Sequence, residues 1–159
     1  MITVTILGIL SAIAIPMMGS YIMRSRATEA TGFLAEIKSR QEAYRADFGC
    51  YADVSDSRMD LWPQGTPGRT VQDWGSNAKW NALGAVPPGR KTLFVYSTVA
   101  GPPNTTPATK GYDTRGFNGL DFWFVSLAVG DLDGDGVTMM VESYSHSKGT
   151  WSSTGDGFE

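Results

Sequence analysis

The 159 residues allow one modest domain with an appendage and exclude two large domains. Only 18% of the residues are charged, and the net charge of -3 at pH 7 argues against a protein drawn to nucleic acid by its charge. The single cysteine, Cys50, excludes an intramolecular disulfide framework, and the single histidine, His146, leaves little material for histidine catalysis or metal binding.

The first charged side chain is Arg24. Residues 1–23 would span about 35 Å as a helix, enough for a hydrocarbon core of about 30 Å, so the run reads as a membrane anchor. A secretory signal peptide would carry basic residues before the apolar run and a small-x-small cleavage site after it, and neither is here. Pro16 has no N–H to donate and Gly8 has wide backbone freedom, so 8–16 is predicted to be the weakest stretch of this helix.

Past Pro16 the pattern turns amphipathic without a break. Ala30, Phe33, Leu34, Ile37, Gln41, Tyr44 and Phe48 recur at steps of three and four, which predicts one helical stripe with Gln41 as its weakest member. Glu36–Arg40 and Lys38–Glu42 have the spacing of ion pairs on a helix surface. Gly49 is placed to cap the helix C-terminus. Arg24 and Arg26 suit lipid headgroups or a neighbouring acidic surface as well as plain solvent.

Residues 49–159 form the expected head domain. From Tyr51 onward it carries eight basic and twelve acidic residues. Residues 51–91 are rich in turn formers and tryptophan, with a short ordered element and a Pro-Pro-Gly turn expected over 80–90. Segments 92–100, 121–130 and 137–146 have strand composition, and 101–111 reads as a loop. Trp123, Val125, Leu127 and Val129 share one strand face. A strand around Trp151 or an irregular tail would end the chain. The expected fold class is α+β: a long N-terminal helix laid on a small antiparallel sheet.

The loop between the last two long strands reads DLDGDG. Asp131, Asp133, Asp135, Gly136 and Glu142 match the spacing of a calcium loop, in which alternate carboxylates converge on a hard cation. An EF-hand needs flanking helices, however, and strands flank this segment. A tight turn built on Asp-Gly chemistry is the favoured reading, with calcium held by the three aspartates as the alternative cofactor. His146 beside Ser145 and Ser147 lacks a nucleophile-elbow motif and reads as a strand-end histidine. Cys50 follows a helix C-terminus, where the dipole disfavours a thiolate. The tryptophans suit core packing better than an exposed platform for sugars.

GILSAIAIP at 8–16, YIMRSRATEA at 21–30 and EIKSRQEAYRADFGCYA at 36–52 resemble the N-terminal region of type IV pilins and pseudopilins. In that family, a phenylalanine, a buried glutamate and a basic leader precede the part matching Met1, so the glutamate's role falls on no residue here. The resemblance implies a pilin-like fold, with 1–23 as anchor and filament core, 24–48 as amphipathic continuation, and a head containing an αβ-loop. It implies a structural subunit and not an enzyme. Its expected partners are identical subunits, the inner-membrane assembly machinery and, before assembly, lipid; no nucleic acid is expected. Such a subunit moves from the inner membrane to an extracellular filament used for adhesion or motility. Ile2, Ile6, Leu7, Ile9, Leu10, Ile13 and Ile15 would pack the filament, with Gly8 and Pro16 supplying slack. The alternatives are a minor pilin, a secretion pseudopilin, or an anchored ligand-binding module that does not polymerise.

Overall fold

The computed structural model describes residues 2–147 and 149–152; side chains are described at Thr3, Ala12 and Tyr21 alone within 2–23, and at Thr150 alone in the last strand. One helix, α1 (Ile2–Phe48), runs without interruption through Gly8 and Pro16. A lone proline costs a helix one hydrogen bond and some crowding, which a helix of this length can absorb. The helix stops where expected. Gly49 takes φ 77°, a left-handed conformation costly for a residue with a Cβ, and its N–H reaches the Arg45 carbonyl at 2.8 Å.

The chain then wanders through 50–71 before β1 (Gln72–Asp73), α2 (Ala78–Leu83) and β2 (Lys91–Thr92), with β1 and β2 forming a small antiparallel pair. Asn77 caps α2 by accepting from the Lys79 and Trp80 N–H groups at 3.0 and 3.3 Å. The main sheet follows as an antiparallel meander of β3 (Val95–Gly101), β4 (Trp123–Gly130), β5 (Met139–Tyr144) and β6 (Thr150–Ser152), in sequence order. Of the two readings of the tail, the short edge strand around Trp151 is the one present. The architecture is α+β, with one long helix and two small sheets.

The stripe of α1 enters the core from Ala27 onward. Ala27, Ala30, Phe33, Leu34 and Ile37 pack against Tyr96, Ala128 and Val141 of the sheet, and against Trp74, Trp80, Leu83 and Phe94 from the segment before it. Phe33 sits at the centre, edge-on to Trp74 at 5.3 Å and to Tyr96 at 4.7 Å. Trp74, Trp80 and Trp123 are all buried, so these tryptophans fill the interior. A Cβ on Gly130 would collide with the Phe94 ring, which is how closely β4 approaches it.

Two expectations for the stripe need correction. Phe48 is 67% exposed and stacks only on Tyr44, because the last turns of α1 leave the core after Gln41. Gln41 itself is fully buried. Its amide pairs with Ala52 as a strand would: Nε2 donates to the Ala52 carbonyl, and the Ala52 N–H donates to Oε1, both at 2.8 Å. Nε2 also reaches Thr98 Oγ1 at 3.2 Å, and Thr98 bonds Ser126 at 2.8 Å. The chain leaving the helix is thereby folded back onto helix and sheet together.

The surface pairs divide. Glu36 and Arg40 meet at 2.9 Å as their spacing predicts. Lys38 does not pair with Glu42. Its Nζ donates to the carbonyls of Tyr144 (3.0 Å) and Ser147, beyond the end of β5, while Glu42 accepts from Tyr51 OH at 3.1 Å.

Both faces of the main sheet are covered. Trp123, Val125, Leu127 and Val129 do share a face, but it packs with Val95, Val99, Tyr112 and Tyr144 in a second core distinct from the one around the α1 stripe. Phe124 and Ala128 lie on the alternate face.

Replacing Gln41 with Ala removes three hydrogen bonds and leaves Ala52 and Thr98 without their partner. The expected loss is about 2–4 kcal/mol, read as a lower urea midpoint for the full chain in micelles, with Glu36→Gln as an exposed control near zero.

Candidate functional site

The acidic loop connects β4 to β5. Asp131 is buried, and its two carboxylate oxygens accept from the Gly134 N–H at 2.6 Å and the Gly136 N–H at 3.2 Å. Asp133 accepts from Asp135 N–H at 3.3 Å, and Asp135 from Val137 N–H at 2.7 Å. Gly134 and Gly136 take φ 80° and 89°, which lets the chain double back over these carboxylates. Asp131, Asp133 and Asp135 thus converge, each offering an oxygen within 4.8 Å of the others. Glu142 does not join them. It lies within β5, paired with Leu127 of β4, and its side chain is buried elsewhere. The fourth acidic position of the calcium spacing is therefore lost. What remains is a loop already closed by its own Asp side chains and able to offer three carboxylates to a cation.

Glu142 belongs to a polar cluster in the second core. Its Oε1 accepts from Arg58 Nη2 at 3.0 Å, and its Oε2 from Tyr144 OH at 2.6 Å, with Arg115 Nε 3.6 Å away. Arg58 lies over the Tyr112 ring, and Tyr112 OH bonds Ser97 Oγ at 2.7 Å. One buried carboxylate therefore pins two loops that cover the sheet. Burial pushes the Tyr112 hydroxyl well above the ordinary tyrosine range, and Tyr144 likewise, with its donation to Glu142 adding to the effect. Tyr96, in the first core, is raised by burial too.

At the end of α1, Arg45 Nη2 meets both oxygens of Asp121 at 2.9 and 2.7 Å, while Nη1 reaches Tyr51 OH at 2.9 Å. The hydrogen bond from Arg45 holds the Asp121 carboxyl below the usual range. Nothing in the sequence signalled this pairing or the Glu142 cluster. A charged residue inside an apolar strand was the one available hint for Glu142.

His146 is exposed, and its Nε2 lies 2.9 Å from the Arg115 carbonyl. Ser145 Oγ accepts from the Phe124 N–H, and Ser147 Oγ bonds the backbone of Gly149, so neither serine is joined to His146 as a nucleophile. Cys50 is a half-buried free thiol.

Ile2, Ile6, Leu7, Ile9, Leu10, Ile13 and Ile15 lie along α1 with Gly8 and Pro16; their side chains lie outside the described residues. Among the described residues no helix is long and apolar enough to cross a membrane; the anchor expected at 1–23 falls almost wholly on side chains outside the described residues. From Arg24 on, α1 carries charge along its exposed faces.

No family model matches the chain, and no curated protein or solved structure matches it.

Because the loop amides already occupy Asp131, millimolar calcium is expected to leave the melting midpoint unchanged; a rise of several degrees would show binding by the three aspartates. Asp131→Ala, which strands two loop N–H groups, should cost about 1–3 kcal/mol in the same melts. The raised tyrosines give a second expectation. Unfolded tyrosine ionises near pH 10, whereas Tyr96, Tyr112 and Tyr144 stay protonated when folded. Their contribution is complete below about pH 10 and is lost as pH rises above it. Stability should fall in the alkaline range, less steeply in Tyr112→Phe, as read from urea midpoints at stepped pH.

Proposed function

We propose that the protein is a structural subunit of a type IV pilus-like filament, anchored through residues 1–23 and assembled by packing that segment against identical copies. The observation that carries this reading is the reach of α1. The helix is 47 residues long, yet the first of its described residues to enter the core is Ala27. The sequence preceding Arg24 holds no charge at all. A head domain of this size needs a helix of about four turns to cover its sheet. The remaining helix requires another environment, and an uncharged run of this length favours one that is apolar.

Lipid and the centre of a helical bundle are similarly apolar, so transfer from one to the other avoids exposure to water. Small differences in packing then decide which helices associate. The pilin-like arrangement, an amphipathic half-helix laid on an antiparallel meander, supports the same reading. On it the subunit is held in the inner membrane before assembly and is extracellular afterwards. Gly8 and Pro16 give the buried segment room to adjust as it moves between neighbours. No step in this function requires catalysis or a cofactor.

A charge placed in the packed segment tests the proposal. In the cells that make the protein, Ile9→Asp should abolish filaments seen by electron microscopy of sheared surface material. The head of the purified variant, in micelles, should melt as the wild type does. Normal filaments carrying Ile9→Asp would overturn the reading.

A further inference from the structure

We propose that the cleft between the end of α1, the 116–122 loop and the end of β5 binds a single neutral sugar ring. The cleft encloses about 220 Å³ and is lined by Arg45, Asn118, Asp121, Ser145 and His146, with Phe117 and Phe122 beside them. That volume lies below the roughly 300–1,000 Å³ of pockets for drug-sized ligands, and it suits one six-membered ring better than a peptide.

The polar groups define the ligand. Arg45 is neutralised by Asp121 through two contacts, so the cleft holds no uncompensated cation to select a phosphate or a carboxylate. Among the described residues Asp121 Oδ2 accepts from Arg45 alone, which leaves it a further lone pair, and the carboxylate's orientation is fixed by that contact and by the Phe122 N–H on Oδ1 at 2.7 Å. Asn118 uses its carbonyl oxygen on the Leu120 N–H at 3.1 Å, and its amide N–H groups remain to donate. Ser145 Oγ accepts from the Phe124 N–H at 3.3 Å and keeps its own hydrogen for a ligand. The Arg115 carbonyl facing His146 Nε2 can only accept, so that nitrogen carries the hydrogen.

Donors and acceptors are therefore both available in a small cleft beside two phenylalanines. Phe117 is itself fixed edge-on to Trp123 at 5.8 Å. A pyranose needs this combination: hydroxyls that both give and take hydrogen bonds, and a face of C–H groups that rests on aromatic carbon. The site lies between the C-terminal end of α1 and the head and does not depend on the filament reading.

Saturation-transfer NMR on the full chain, in micelles of a detergent without a sugar headgroup, tests this with glucose, galactose, mannose and N-acetylglucosamine as separate probes. At least one should bind in the millimolar range, as expected for a ligand of about a dozen non-hydrogen atoms. Asn118→Ala should weaken it at least about fivefold and Ser145→Trp, which fills the cleft, should abolish it, whereas Lys79→Ala on a remote surface should leave it unchanged. Circular dichroism confirms that each variant is folded. Absence of transfer to all four sugars, or binding that survives both cleft variants, would overturn the proposal. Inorganic phosphate displacing the sugar would equally count against it, since the cleft would then be selecting charge.

Discussion

Between Ala27 and Gln41 the long helix gives up one face to the sheet, and the head domain is organised around that contact. Phe33, Leu34 and Ile37 are the large side chains at its centre, each contributing about 1.5–3 kcal/mol by leaving water. The seam also fixes where everything else lies. Phe33 sets the position of Trp74 and Tyr96; Trp74 in turn packs edge-on against Trp80, which holds α2. The irregular segment between helix and sheet therefore has little secondary structure of its own, yet it is part of the interior. At the far end of the seam, Gln41 does with its amide what a neighbouring strand would do for Ala52. A stripe made only of hydrocarbon would leave that backbone unsatisfied in a buried place.

The sheet meets a different problem on its second face. Two connecting segments, 51–62 and 102–122, the second with one short 3-10 helix at Pro107–Lys110, supply cover, and they bring polar backbone and charged side chains with them. Glu142 resolves this by accepting from Arg58 and Tyr144, with Arg115 alongside. Such a buried ion pair adds little net stability compared with an apolar substitute, but losing one partner is costly. Its value is geometric: it specifies which loop lies where on a face that hydrophobic contact alone would leave loosely determined.

The elements whose signals are local were the ones legible in the sequence. The stripe, the cap at Gly49, the three longer strands and the short strand at the end all follow from periodicity or composition within a few residues. Phe48 continues the period yet points into solvent, because periodicity cannot tell where the partner surface ends. Lys38 had an acceptable neighbour in Glu42 and instead reaches two carbonyls more than a hundred residues away. The same limit applies to the acidic loop. Its spacing correctly brings Asp131, Asp133 and Asp135 together, since a turn is local. The role of Glu142 was set by strand register, which aligns it with Leu127 and carries it away from the loop.

The two proposed surfaces lie at opposite ends of one element. Packing would involve α1 from Ile2 to Ile15, while the sugar cleft uses Arg45, so about 45 Å of helix lies between them. Between them the stripe is clamped to the sheet over four turns, and Arg45 is tied to the 116–122 loop. A change in the surroundings of the apolar end, from lipid to neighbouring helices, is therefore not transmitted to the cleft unless the clamped segment moves as well. A subunit built this way can exchange one apolar environment for another at its base while the geometry of its outer surface stays constant.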